Sequence, residues 1–267
     1  MRSLPGLHNL TKPALGRQVD WGHRLARQLQ RCHLFNEAVG TVVNDSCFGL
    51  QATCANTSWV TANASRVGPA VSCISTNSAT ITGSSQGWAF GASPFTWSMY
   101  VMSGGGTNVN FASYGASSGS NNVTFMTASG TKFQIHAGSV YINGSSYSTS
   151  IWYRVTATYD GATLSLYQND ALIASSAAAL ATTSNGFWQI GSNTSVSSFG
   201  TVQTADMFYW NRCLSAGEVA WLFQEPYAMV SPPNYKKYYM FGYLMNPLFT
   251  RIINAADRSR IVRGVIQ

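Results

Sequence analysis

Ile151-Trp-Tyr-Arg-Val-Thr-Ala-Thr-Tyr159, Asp160-Gly161, Ala162-Thr-Leu-Ser-Leu-Tyr-Gln168 and Asn169-Asp170 follow one another as strand, turn, strand, turn. The first nonapeptide is rich in β-branched and aromatic residues, which suit a pleated, half-buried surface. Asp-Gly is a tight hairpin signal because both residue types tolerate positive φ. In the next segment Leu164 and Leu166 fall on one face, Ser165 and Tyr167 on the other. Further on, Asp206-Met-Phe-Tyr-Trp-Asn-Arg-Cys-Leu214 runs into Ser215-Ala-Gly-Glu218. That spacing predicts a capping box, with the serine accepting from one backbone N–H and the glutamate reaching back to another. Three β-segments, two turns and one capped helix describe a β-rich scaffold with little room for catalysis.

These residues carry a family resemblance. Trp152-x-x-Val155-x-Ala157-x-Tyr159-Asp160-Gly161, Leu164-x-Leu166-Tyr167-x-Asn169, Ile190-Gly191 and Trp210-Asn211-Arg212-Cys213-Leu214-Ser215-x-x-Glu218-Val219 resemble the laminin-G-like branch of the concanavalin A-like lectins. The opening Thr11–Leu25 and Leu34-Phe-Asn-Glu37 resemble the start of such proteins from phage and environmental sources. The resemblance covers roughly residues 11–230. It implies an all-β, two-sheet antiparallel jelly-roll sandwich with one short helix toward the C-terminal side, binding sugars or protein surfaces, often with calcium. The chain departs from the pattern at Asp170-Ala171, where the family has a glycine, and at Ser46-Cys-Phe-Gly-Leu50, where a glycine-rich run is expected after Asp45.

Composition agrees. In 267 residues only 9% are charged, against about 25% in an average protein, and Ser, Thr, Asn and Gly fill the polar positions. Short apolar runs predict strands at Leu50–Cys54, Ala70–Ile74, Thr96–Met102, Val123–Met126, Lys132–His136 and Ser139–Ile142.

The net charge of +7 is uneven. Residues 1–35 carry six basic side chains against one acidic, residues 36–231 four against seven, and residues 232–267 six against one. The expected organisation is a mildly acidic sandwich, 36–231, flanked by extended basic arms at 1–35 and 232–267. The assembly candidates are Arg17, Arg24, Arg27 and Arg31 in the first arm. In the second they are Lys236, Lys237, Tyr238, Tyr239, Phe241, Arg251, Arg258, Arg260 and Arg263. Aromatic and branched residues are scarce in disordered tails, so the second arm is expected to pack on a partner. On this reading the protein decorates or stabilises a phage-like virion, or acts as its adhesive surface module. Its partners are other virion structural proteins and copies of itself, with a cell-surface glycan as a further ligand. The alternative is a free carbohydrate-binding lectin. Nucleic acid fits poorly, because the basic residues share no regular face.

The segment 1–30 has no signal-like apolar core and no later run is long enough to span a bilayer, so production in a host cytoplasm without membrane insertion is expected. Five cysteines (Cys32, Cys47, Cys54, Cys73, Cys213) show no C-x-x-C pair, which argues against zinc and leaves buried thiols or at most one or two bridges.

An enzyme is not expected. No predicted strand bears two acids at alternating positions, as paired-carboxylate glycoside hydrolysis would ask. The two G-x-S-x-G matches, Gly83–Gly87 and Gly115–Gly119, open no helix. No cofactor is expected beyond calcium, whose candidate ligands by family position are Asp45, beside Asn44, and Asp206. The simpler roles are a turn start for Asp45 and an exposed strand position for Asp206. For ligand binding, Trp88 in Gln86-Gly87-Trp88 is expected on an exposed loop, whereas Trp97 and Trp152 are read as core.

Overall fold

The computed structural model describes residues 12–61, 68–73, 78–104, 110–116, 121–128, 132–192 and 201–230. They form two eight-stranded antiparallel sheets. In chain order the strands are β1 Leu29–His33, β2 Val42–Asn44, β3 Gln51–Ala55, β4 Ser58–Thr61, β5 Pro69–Cys73, β6 Thr80–Ser84, β7 Phe95–Ser103 and β8 Asn110–Gly115. They continue as β9 Asn122–Ala128, β10 Lys132–Ala137, β11 Val140–Ser146, β12 Trp152–Tyr159, β13 Thr163–Gln168, β14 Ala171–Ala177, β15 Phe187–Ile190 and β16 Val202–Trp210. One helix, α1 Ala216–Gln224, follows. The first sheet runs β14-β13-β12-β7-β16-β5-β4, with β1 also on β16; the second runs β11-β10-β9-β8-β15-β6-β3-β2.

The local signals operate as their chemistry predicts. Asp160 Oδ1 accepts from the N–H groups of Ala162 (2.8 Å) and Thr163 (2.7 Å), and Gly161 sits at φ +105°. The hairpin register follows, Tyr159 opposite Leu164 and Thr158 opposite Ser165. Asn169 takes φ +62° in the next turn, and its Oδ1 accepts from Arg154 N–H at 3.1 Å. At α1 the Ser215 hydroxyl accepts from Glu218 N–H at 3.3 Å, and Glu218 Oε2 accepts from Ser215 N–H at 3.0 Å. Trp188 lies so close to β6 that a Cβ on Gly83 would fall 2.4 Å from its ring, so only glycine fits there.

Alternation along the strands feeds two cores. Met207 and Tyr209 of β16 point between the sheets, while Phe208 and Trp210 point to the outer face of the first sheet. Leu164 and Leu166 join the inner core, and Tyr167 joins the outer one. Between the sheets, Trp88 stacks on Tyr209 (centroids 3.8 Å, planes 8° apart) and meets Trp97 and Tyr114 edge-on. The outer cluster packs Val19, Leu25, Leu29 and Leu34 against Val219, Leu222, Tyr227 and Met229. The first sheet is therefore covered on both faces.

This corrects the expected domain organisation. Residues 12–35 are part of the sandwich and not an arm beside it. β1 pairs antiparallel with β16, Cys32 opposite Phe208. Asp20 N–H donates to Met229 O (2.7 Å), and Trp210 Nε1 donates to Leu25 O (2.6 Å). The charges that suggested an arm sit between apolar residues pointing the other way: Arg24 and Arg27 are exposed, while Leu25, Ala26 and Leu29 are fully buried. Arg31 also departs from the arm reading. Its side chain is buried at 1% exposure, donating to the carbonyls of Gln30, Ser84 and Gln86. The second arm, including Lys236, Lys237, Tyr238, Tyr239, Phe241, Arg251, Arg258, Arg260 and Arg263, lies outside the described residues. Among the described residues no helix is long and apolar enough to cross a membrane.

Candidate ligand-binding cleft

The covering layer creates a cleft of about 290 Å³. One wall is the N-terminal segment Leu15, Gly16, Arg17 and Gln18; the other comprises Asn36, Glu37, Asn44, Asp45, Ser46 and Gly49. Two anchors hold the N-terminal wall. The Lys12 ammonium donates to the carbonyls of Phe35, Pro69 and Ala205 (2.7 Å for Ala205), and Asn36 Nδ2 donates to Pro13 O at 2.8 Å. Burial lowers the Lys12 pKa to about 7, against the upward pull of Asp206 and Glu37. Three acceptors around Nζ match the three N–H donors of the charged form, so the geometry favours the ammonium.

Asp45 organises the opposite wall. Its Oδ1 accepts from the N–H groups of Cys32 (2.8 Å) and Cys47 (3.0 Å), and its Oδ2 from Phe48 N–H (3.1 Å). Gly49 completes the turn at φ +71°, where its N–H donates to Asp45 O. This Asx-type turn projects Phe48 outward. Phe48 is 56% exposed and its ring lies 5.6 Å from that of Trp21, itself 49% exposed. Leu15, 59% exposed, stands on the facing wall. Inside, Glu37 Oε1 accepts from Asn44 N–H (2.7 Å) and Nδ2 (3.1 Å). The Arg17 guanidinium is exposed. The cleft thus combines amide, hydroxyl, carboxylate and guanidinium groups, and the exposed Phe48 stands on the turn between its lining residues Ser46 and Gly49. That mixture can hydrogen-bond a polyhydroxylated ring and cover its apolar face.

The structure redistributes the residues singled out by sequence. Asp45 lines the cleft and holds a turn, both of its oxygens accepting backbone N–H groups. Asp206 is not an exposed strand residue. It is fully buried on the outer face of β16, where Oδ2 accepts from Arg154 Nη2 (2.7 Å) and Tyr227 OH (3.1 Å). Arg154, Tyr100 and Asp206 share one row across β12, β7 and β16, and the guanidinium lies over the Tyr100 and Phe208 rings at 5.2 and 5.5 Å. The two proposed calcium ligands therefore serve separate structural networks. Among the described residues no group of three or more His, Cys, Asp or Glu side chains could hold a metal ion, and Asp45 and Asp206, each engaged in its own network, do not form one calcium site between them.

Trp88 is also corrected. It is 5% exposed in the aromatic core, because the turn at Gly87 (φ +82°) folds it inward between the sheets. Trp97 is core, whereas Trp152 is half-buried on the outer face, stacked on Tyr100 at 5.6 Å. Two acidic residues outside the cleft have structural partners of their own: Glu218 pairs with Arg212 (2.9 Å) and Arg24 (3.4 Å) within its capping box, and Glu225 Oε2 accepts from Trp221 Nε1 (3.2 Å). Sequence reasoning passed over Trp21 and Phe48. Their one signal was position, since each large aromatic stands beside a glycine in a polar stretch.

Residues 75–220 match the family model described as the concanavalin A-like lectin/glucanases superfamily. The chain belongs to this superfamily. Among curated protein sequences none matches. Solved structures sharing the fold include the binding domain of Paraclostridial Mosquitocidal Protein 1 (TM-score 0.63, 15% identity, 77% of this chain and 54% of that one). Trypanosoma rangeli sialidase is similar over 77% of this chain and 34% of its own (TM-score 0.59, 16% identity). Domain 4 of AbnA, a GH43 extracellular arabinanase from Geobacillus stearothermophilus solved with arabinotriose, is similar over 73% of this chain and 98% of its own (TM-score 0.57, 15% identity). The chain thus spans about half of the mosquitocidal-protein chain and a third of the sialidase. At such identities the likeness establishes the fold alone.

Proposed function

We propose that this superfamily member is a non-catalytic recognition module that binds a neutral glycan in the cleft between residues 15–18 and 36–49. The observation that carries the reading is the exposed Trp21–Phe48 pair, with Phe48 on the turn whose residues Ser46 and Gly49 line the polar cleft. Large aromatics left half in water have lost burial energy that a sugar's apolar face would restore. The cleft offers both donors and acceptors, as vicinal hydroxyls require, and Asp45 and Glu37 beside one guanidinium disfavour a strongly anionic ligand. The likeness to an arabinanase domain solved with arabinotriose and to a toxin's binding domain supports the same class of function. A glycan array followed by titration calorimetry, with and without EDTA, tests it. Trp21→Ala and Phe48→Ala should each weaken binding about tenfold or more, and EDTA should change nothing. Unchanged affinity in the double variant would remove the cleft from consideration.

A second reading, a decorating or adhesive module on a phage-like virion, retains one sequence observation. Residues 232–267 combine a +5 charge with aromatic and branched residues. Light scattering of the full chain and of residues 1–230, at low and high salt, distinguishes the two: assembly confined to the full chain and loosened by salt supports anchoring through that segment.

A further inference from the structure

Cys32 and Cys47 stand on the two sides of the Asp45 turn. Both backbone N–H groups donate to the same Asp45 Oδ1, at 2.8 and 3.0 Å, and Ser46 N–H donates to Cys32 O at 2.9 Å. Two amides on one oxygen bring the two backbones to a separation compatible with the span of a disulfide, Cα to Cα roughly 4.4–6.8 Å. Both side chains enter the same apolar cluster over the outer face of the first sheet, Cys32 within it and Cys47 packed against it. The remaining thiols are placed differently. Cys54 and Cys73 come from strands of opposite sheets and face the inner core. Cys213 follows β16 at the helix end of the sheet.

We infer that Cys32 and Cys47 are a dithiol pair that closes to a disulfide, stapling the turn that carries Phe48 to β1. The co-reactant is a small-molecule disulfide. The half-buried Cys47 thiolate attacks it and expels one thiolate. The Cys32 thiolate then attacks the Cys47 sulfur of the mixed disulfide and expels the second. The two cysteine sulfurs are oxidised by two electrons, the small disulfide is reduced to two thiols, and the two cysteine protons pass to the departing thiolates. Burial raises both thiols above their ordinary range, with Asp45 adding to the effect, so few thiolates exist in the folded protein and closure there is slow. Conditions that open the covering layer should speed it. The inference is independent of what the cleft binds.

The test incubates the full chain with oxidised glutathione in native buffer and in urea near the unfolding midpoint. Free thiols are then alkylated under denaturing conditions and disulfide-linked peptides are mapped by mass spectrometry. The expected result is one linked pair, Cys32 with Cys47, with Cys54, Cys73 and Cys213 alkylated, faster closure in urea and a higher unfolding midpoint for the oxidised protein. The Cys47→Ser chain should show no linked pair while keeping the wild-type far-UV spectrum. Recovery of Cys32 and Cys47 as alkylated thiols in both conditions, or of Cys32 bridged to another cysteine, overturns the inference.

Discussion

His33 provides the sharpest test of the packing described here. It lies on β1 at 1% exposure, with Nδ1 3.2 Å from Asn44 O and its ring 5.1 Å from Trp188. Burial lowers its pKa to about 4, with Arg31 adding to the depression and Asp45 and the Asn44 carbonyl opposing it. The unfolded chain titrates this group near 6.5, so below that pH it binds the proton and the folded protein does not. The linkage relation then makes stability fall as pH falls, beginning near 6.5 and levelling off below about 4. Between pH 7.5 and 5.5, above the range where most carboxylates titrate, the loss from this one group is about 1.3 kcal/mol, rising to about 3 kcal/mol once pH is below 4. His23 and His136 are also lowered by burial, so the informative quantity is a difference of differences. Urea unfolding of wild type and His33→Gln at pH 7.5 and 5.5 supplies it. Wild type should lose about 1 kcal/mol more than the variant over that interval, with unchanged m-values. Equal losses would mean that His33 is not held neutral in the core, and the β1 register against β16 would have to be abandoned.

Two further expectations concern the covered face of the first sheet. Asp206→Asn leaves the Arg154 guanidinium buried without a counter-charge and should cost about 3–5 kcal/mol. Combining it with Arg154→Met should recover part of that loss, and simple additivity of the two losses in thermal or urea unfolding would contradict the pairing. A chain of residues 36–230 lacks β1 and the apolar residues that cover Phe208 and Trp210. It should bind hydrophobic dyes and show no cooperative transition, whereas 12–230 should unfold cooperatively. A well-folded 36–230 would restore the view of the N-terminal residues as an arm.

Features that depend on neighbours in sequence were readable from the sequence. The Asp160-Gly161 hairpin, the turn at Asn169 and the Ser215–Glu218 capping box each bring together groups only a few residues apart, so backbone sterics and one or two hydrogen bonds decide them. Strand periodicity gave the all-β architecture for the same reason, since alternation exposes one face and buries the other. The predicted spans at Lys132–His136 and Thr96–Met102 each fall within an observed strand.

Placement across the fold was decided by tertiary structure. Arg154 and Asp206 are 52 positions apart and meet only because β12 and β16 flank β7. Asp45 and Cys32 are 13 positions apart, and the carboxylate meets the Cys32 N–H only because β1 lies beside the Asp45 turn. Arg31 and Arg24 count equally in a charge window, yet one enters the core and the other faces water, because the window records charge and not direction. Trp88 and Trp21 are equally apolar; Trp88 is folded between the sheets, and Trp21 is left exposed against Phe48. Periodicity and composition determine which residues can be buried. Which of them share a cleft is set by strand order and by the layer that closes over the sheet, and these rest on contacts between segments far apart in the chain.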